Sequence, residues 1–109
     1  MPYDDRLASR LREVFHGRRN VVEKRMFGGL AFMVRGHMCC GVIGDELMVR
    51  VGPEEFAKAV REPHARPMDF TGRPLTGFLY VSSKGHARRQ SLEKWVRRAI
   101  RFAQTLPRQ

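Results

Sequence analysis

Residues 21–51 read VVEKRMFGGLAFMVRGHMCCGVIGDELMVRV, and most of the fold follows from this stretch. Short runs rich in β-branched and large apolar residues alternate with breaks that each contain glycine, at 28–29, 36–37 and 44–46. Glycine at such breaks permits the backbone conformations that tight turns require. The pattern predicts four consecutive strands joined by short turns, which is an antiparallel meander.

Alternation within these runs predicts a sheet with two different faces. Leu30, Phe32 and Val34 fall on one side of their run, because successive side chains of a strand point to opposite faces. The fourth run alternates in the same way from Leu47 to Val51. We expect helices to cover one face and the other face to be less apolar.

Amphipathic segments before and after the meander predict the helices that cover one face of the sheet. Residues 4–16 and 92–106 place their apolar side chains on one arc of a helix, and a short helix starts at Pro53. Residues 62–76 contain three prolines that favour loop or extended backbone, and 78–82 read as one further strand. The order α-β-β-β-β-α-β-α predicts a two-layer α+β fold in which helices cover one face of an antiparallel meander sheet.

Length and composition predict one small domain spanning residues 1–109. A chain of 109 residues can bury one core, and no linker or repeat divides it. No run approaches the roughly 20 apolar residues that cross a bilayer, and Asp4 and Asp5 stand where a signal peptide needs positive charge. We therefore expect a cytoplasmic protein with no membrane contact.

Candidate metal, cofactor and catalytic sites are weak. His37, Cys39 and Cys40 are ligand types within four residues, but adjacent strand residues point to opposite faces unless a bulge intervenes. We expect one buried and one more accessible thiol here. Gly28 and Gly29 lack the spacing of a phosphate loop, and no motif joins either thiol to a histidine base. The sequence predicts no enzyme, no catalytic residue, no metal and no cofactor.

Positive charge near the C-terminus is the strongest functional signal. The chain has 21 Lys and Arg against 11 Asp and Glu, a formal charge of +10, of which residues 84–109 contribute +7. A basic helix face attracts polyanions and contacts phosphates without reading base sequence, whereas a solvated face without a partner is the ordinary alternative. Trp95 and Phe102 fall on the predicted core side, so we do not expect base stacking. The candidate nucleic-acid-binding residues are Arg88, Arg89, Lys94, Arg97, Arg98 and Arg101.

A series of short motifs extends along nearly the whole chain. They are Arg25-Met26-Phe27-Gly28-Gly29, then Phe32, Gly36, Met38, Gly41, Asp45-Glu46-Leu47 and Arg50-Val51, and later Tyr80-Val81 with the spacing of Leu92, Trp95 and Ala99. In order and spacing this series resembles the N-terminal domain of the TfoX/Sxy family. The resemblance implies a bacterial regulator of natural competence that works with the cyclic AMP receptor protein at promoters.

The same resemblance carries expectations about structure. It implies a fold of the type grouped with secretion-chaperone-like domains, and it brings no catalytic residues. Met26, Phe27, Gly28 and Gly29 map onto a structural motif, in which the glycines permit a turn and the phenylalanine packs beneath it. Because the chain ends about where the first domain of full-length members ends, we expect a stand-alone version without their C-terminal helical domain.

Three functions remain as hypotheses. The first is a non-enzymatic regulatory or adaptor domain whose basic last helix contacts nucleic acid or a transcription regulator. The second is a protein-binding, chaperone-like module that forms homodimers through a sheet face or edge, without nucleic acid. The third is a thiol-dependent sensor or small enzyme centred on Cys39 and Cys40.

Overall fold

The computed structural model describes residues 3–70 and 72–107, and within them the chain forms four helices and six strands. The helices are α1 (Asp5–Phe15), α2 (Pro53–Ala59), α3 (Ser83–His86) and α4 (Arg89–Ala103). The strands are β1 (Val21–Met26), β2 (Gly29–Val34), β3 (His37–Ile43), β4 (Glu46–Arg50), β5 (Ala65–Phe70) and β6 (Arg73–Val81).

The strands form one antiparallel sheet in the order β1-β2-β3-β4-β6-β5. The first four are the predicted meander, and the two-layer α+β fold is confirmed. β5 lies within residues 62–76, for which the sequence predicted only loop or extended backbone. Its Pro67 lacks an N–H group, and such a residue is tolerated in a strand at the edge of a sheet.

The turn before β2 shows why two adjacent glycines occur there. Phe27 and Gly28 have φ of 56° and 76°, the consecutive positive values of a type I′ hairpin turn. Gly29 has a different constraint, because a Cβ atom there would lie 2.2 Å from the carbonyl oxygen of Val42 in β3. One glycine therefore serves the turn, and the other lets two strands approach closely.

The main core lies between the helices and one face of the sheet. The ring of Phe15 in α1 stacks on that of Phe32 in β2, with centroids 5.2 Å apart. Leu92 and Trp95 of α4 are buried against the same sheet face. Burial of such a side chain contributes about 1.5–3 kcal/mol, so this layer supplies most of the driving force for folding.

The opposite face of the sheet carries a second, smaller apolar cluster, which we call the methionine face. Its buried members are Ala31, Met48, Met68 and Tyr80. Partly buried apolar side chains surround them, namely Met26, Phe27, Met33, Met38, Ile43, Leu75 and Phe78. Five of the six methionines of the chain thus lie on this face.

α4 begins three residues before the predicted start. The apolar pattern begins at Leu92, but the helical backbone starts at Arg89, after Arg88 in extended conformation. The helix ends at Ala103, three residues before the predicted Leu106, in a turn closed by the bond from the Thr105 N–H to the Phe102 carbonyl. A solvent-facing first turn carries no apolar signal, so periodicity alone did not locate it.

Candidate nucleic-acid interface

The predicted basic stripe lies on the solvent side of α4, opposite the buried side chains. Arg89, Lys94, Arg97 and Arg101 are exposed, and Arg88 is exposed directly before the helix. The amphipathic division predicted from the sequence is therefore present. The six candidate residues nevertheless differ in their surroundings, and the acidic residues near them explain the difference.

Arg98 is a structural residue. Its side chain is only 12% exposed, and its Nη1 donates to Glu62 Oε2 at 2.5 Å, while Glu55 lies 3.9 Å from Nη2. Its guanidinium also lies 4.7 Å from the centroid of the Trp95 ring. These contacts join α4 to α2 and to the segment after it, so Arg98 is not available to an external phosphate.

Lys94 shares the same carboxylate. Its Nζ donates to Glu62 Oε1 at 3.1 Å. Burial alone would raise the pKa of the Glu62 carboxyl, but the hydrogen bonds and charges of Arg98 and Lys94 outweigh burial and hold that pKa below its ordinary value. Glu62 is therefore ionised at neutral pH and neutralises part of the charge predicted for α4.

Arg89 and Arg97 share a carboxylate within their own helix. Glu93 Oε2 accepts from Arg89 Nε at 3.1 Å, and Glu93 Oε1 lies 3.9 Å from Arg97 Nη1, both at i,i+4 spacing. These pairs are solvent-exposed, and such pairs contribute only about 0.2–1 kcal/mol. A phosphate can replace the carboxylate at little cost.

Arg88 and Arg101 are the exposed cations of the stripe that have no carboxylate within 4.0 Å in the part of the chain that the structure describes. Arg97 and Arg101 are four residues apart, so their side chains are neighbours on one helix face. We call this pair the α4 ridge. It is the part of the predicted stripe that can meet a polyanion.

A second group of arginines lies beside the C-terminal end of α4 and was not among the predicted residues. Arg18 and Arg19 follow α1, and Arg35 lies in the turn between β2 and β3. Together with Gln104 they line one small pocket. No spacing in the sequence indicates that the turn holding Arg35 lies beside Arg18 and Arg19.

The two cysteines correct a sequence-based expectation. Phe32 pairs with Cys40 and Met33 with Met38, so Cys39 is an extra residue in β3 and the alternation of faces is interrupted. Both side chains are fully buried in the helix-side core, and the expectation of one more accessible thiol is wrong. A hydrogen bond with Cys39, and burial, raise the pKa of the Cys40 thiol well above its ordinary value.

Metal sites, membrane-spanning helices and reactive thiols can be looked for within residues 3–70 and 72–107. There, no group of three or more His, Cys, Asp or Glu side chains could hold a metal ion. No described helix combines the length and hydropathy needed to cross a bilayer. Both thiols are fully buried, so they lack the solvent access that a nucleophile or sensor requires.

Comparison with known proteins agrees with the motifs along the chain. No curated protein and no solved structure shows significant similarity to it. A family model, that of the TfoX N-terminal domain, matches residues 13–103, a range that contains every strand of the sheet and the whole of α4. The match covers most of the 109 residues, and the chain therefore belongs to the TfoX N-terminal domain family.

Proposed function

We propose that this protein is a non-enzymatic regulatory domain that contacts the phosphate backbone of nucleic acid through the α4 ridge. Membership of the TfoX N-terminal domain family supports the regulatory role at a coarse level. We further propose a cytoplasmic location and a transcription regulator as protein partner, in keeping with the competence regulators that this family contains.

The observation that carries the proposal is that Arg97 and Arg101 are exposed on one helix face. Arg101 has no carboxylate partner among the described residues, and Arg97 is only weakly paired, with Glu93. Arginine presents a planar fork of donors that matches a phosphate group. Trp95 is buried and Phe102 is partly buried beneath the helix. The ridge therefore offers charge and hydrogen bonds but no stacking surface, which favours contact with phosphates over contact with bases.

Overall charge supports the same function. The formal charge of +10 attracts a polyanion from a distance set by the ionic strength. Binding of this kind releases condensed counterions, so affinity should fall steeply as salt increases. A basic chain with exposed arginines at one helix face fits a sequence-independent contact that positions the domain on nucleic acid.

The decisive double variant, with Arg97→Glu and Arg101→Glu, reverses the charge of the ridge. Arg98 is left intact, because a glutamate there would face Glu62 and Glu55 and would destabilise the fold. The matched control is Arg6→Glu with Lys84→Glu, two exposed residues away from the ridge whose reversal changes net charge equally.

Binding is measured by fluorescence anisotropy with a labelled duplex over a series of salt concentrations. We expect the ridge variant to lose binding and the control to retain most of it, because direct phosphate contacts matter more than net charge. Equal losses in both variants would show that charge alone acts, and the ridge would then have no special role.

A second candidate function is self-association through the methionine face. Val22, Met33 and Met38 are cross-strand neighbours on β1, β2 and β3, and Val22 is 62% exposed although it is apolar. Methionine side chains adapt their shape to a partner surface, which favours a protein contact here. Light scattering across a dilution series measures the molar mass of the native chain and of the variant Met33→Lys, which should weaken self-association. A native chain that is monomeric at every concentration contradicts it.

A further inference from the structure

The arginine pocket at the C-terminal end of α4 has the shape and charge of a small anion site. It has a volume of about 260 Å³, slightly below the usual range for sites that hold drug-sized ligands. Segments far apart in sequence form it, namely the turn after α1, the start of β1, the turn between β2 and β3, and the end of α4. Its lining residues are Arg18, Arg19, Asn20, Val21, Val34, Arg35, Ile100 and Gln104.

The pocket differs from the clefts beside α2 in its charge. Three of its eight lining residues are arginines and none is acidic. The clefts between α2 and α4 contain the carboxylates of Glu54, Glu55 or Glu62. The acidic residue of the adjoining β1, Glu23, accepts two hydrogen bonds from Arg12, each 2.8 Å long, and is thus engaged elsewhere. The positive charge of the pocket is not neutralised from within.

Arg35 is held in position by two hydrogen bonds. Its backbone N–H donates to the Asn20 carbonyl at 3.0 Å, and its Nη1 donates to the Gln104 carbonyl at 3.1 Å. A guanidinium has five N–H donors, so this side chain retains donors for a ligand. Val21 and Val34 make the adjoining wall apolar, and electrostatic attraction is stronger beside such a wall than in open water.

Helix capping explains only part of this arrangement. The contact with Gln104 satisfies a carbonyl at the end of α4, which is an ordinary role for a basic side chain there. Arg18 and Arg19 are exposed, and neither side chain makes a hydrogen bond or ion pair within residues 3–70 and 72–107. Capping therefore accounts for Arg35 but leaves two arginines of the pocket without a structural role.

We propose that this pocket binds a phosphate group of the nucleic-acid backbone that lies along the α4 ridge. Gln104 follows Arg101 by three residues, so the pocket continues the line of the ridge. From residue 97 to residue 104 the helix rises about 10 Å, and this length matches roughly three nucleotide steps along one strand. The inference rests on the proposed function, because the ridge and the pocket would hold different phosphates of the same polyanion.

The test uses two double variants. The pocket variant carries Arg18→Gln and Arg19→Gln, and the control variant carries Arg6→Gln and Lys84→Gln. Both pairs remove two positive charges from exposed side chains, but Arg6 and Lys84 lie away from the pocket, in the first turn of α1 and in α3. Arg35 is kept, so the cap of α4 stays intact. Thermal melting followed by circular dichroism checks that both variants are folded.

Duplex affinity is measured over a series of salt concentrations, and backbone amide NMR spectra are recorded while inorganic phosphate replaces chloride. We expect the pocket variant to bind the duplex about tenfold more weakly than the control, with a salt slope lower by about one, because one phosphate contact is lost. Phosphate should shift the amide signals of Arg19 and Arg35 in the native chain and not in the pocket variant.

The two arms separate the possible failures. If the duplex binds but the pocket variant matches the control, the pocket inference is wrong and the proposed function stands. If the duplex does not bind but phosphate still shifts the pocket signals, the proposed function is wrong and the pocket is a site for a smaller phosphate compound. If neither ligand has an effect, both proposals fail.

Discussion

Replacement of Glu62 by glutamine tests how far this carboxylate neutralises the positive charge of α4. The carboxylate accepts hydrogen bonds from Arg98 and Lys94, and Glu62→Gln keeps its shape while it removes the negative charge. We expect a domain that is less stable and binds nucleic acid more tightly. The two effects have opposite signs because one carboxylate both joins α4 to its neighbours and neutralises two of its cations.

The expected loss of stability follows from the surroundings of each pair. A hydrogen bond to a charged group contributes about 1.5–3 kcal/mol, and Arg98 with 12% exposure is in this class. Lys94 is 57% exposed, so its pair contributes about 0.2–1 kcal/mol. The neutral glutamine oxygen still accepts one hydrogen bond from a cationic donor, which recovers about 1 kcal/mol. The net loss is about 1–3 kcal/mol, or a decrease in Tm of roughly 5–15 °C.

The effect also depends on pH with a defined sign. The pKa of Glu62 is lower in the folded protein than its ordinary value of 4.5, so the folded state favours the ionised form. Its contribution is fully present above pH 4.5 and is lost as the pH falls through the folded-state pKa. The stability difference between the native chain and Glu62→Gln should therefore be constant near neutral pH and should shrink below pH 4.5.

Urea unfolding at several pH values measures the stability difference, and anisotropy with a labelled duplex measures binding. Glu13→Gln is the matched control, because it removes one negative charge from an exposed position in α1 that has no ion pair in the described structure. If Glu62→Gln changes stability no more than this control, the Glu62 bonds do not hold α4. If duplex affinity does not rise, neutralisation by Glu62 does not limit binding.

Two further predictions concern the strands. Gly29→Ala should lower the free energy of unfolding by about 3 kcal/mol, because the new Cβ would clash with the Val42 carbonyl. In Gly28→Ala the new Cβ meets no atom within 4 Å, so we expect a loss of only about 1–2 kcal/mol, caused by the positive φ of that residue. Similar losses of the two variants in urea unfolding would refute this distinction. Cys39 and Cys40 should react with a thiol reagent more than about a hundredfold more slowly in the folded chain than in denaturant. Rapid labelling of the folded chain would contradict their burial.

Much of the fold could be predicted because the signals are local. Alternation in residues 21–51 and helical periodicity in 4–16 and 92–106 reflect which side chains face the core, and each pattern is complete within its own element. β5 was not predicted, since its Pro67 and the prolines on either side of it oppose a strand unless the segment lies at a sheet edge. That edge position exists only after β6 has paired with β4.

The candidate site was less predictable, and the reason is electrostatic. The count of charges in residues 84–109 included Glu93 but could not include Glu62, which is 32 residues before Lys94 and is bonded to it in the structure. In the same way, the bulge at Cys39 arises from the pairing of β3 with β2 and has no signature in the spacing of the cysteines.

The amino-acid sequence on its own determined the meander, the amphipathic helices, the motifs of the TfoX N-terminal domain and the excess of positive charge, because each depends on neighbouring residues or on composition. Only the tertiary structure decided which of those charges are available. Charge pairing depends on distances of a few ångströms between segments remote in sequence. Folding places Glu62 against Arg98 and leaves the α4 ridge exposed, and it brings Arg18, Arg19 and Arg35 to one pocket without a carboxylate.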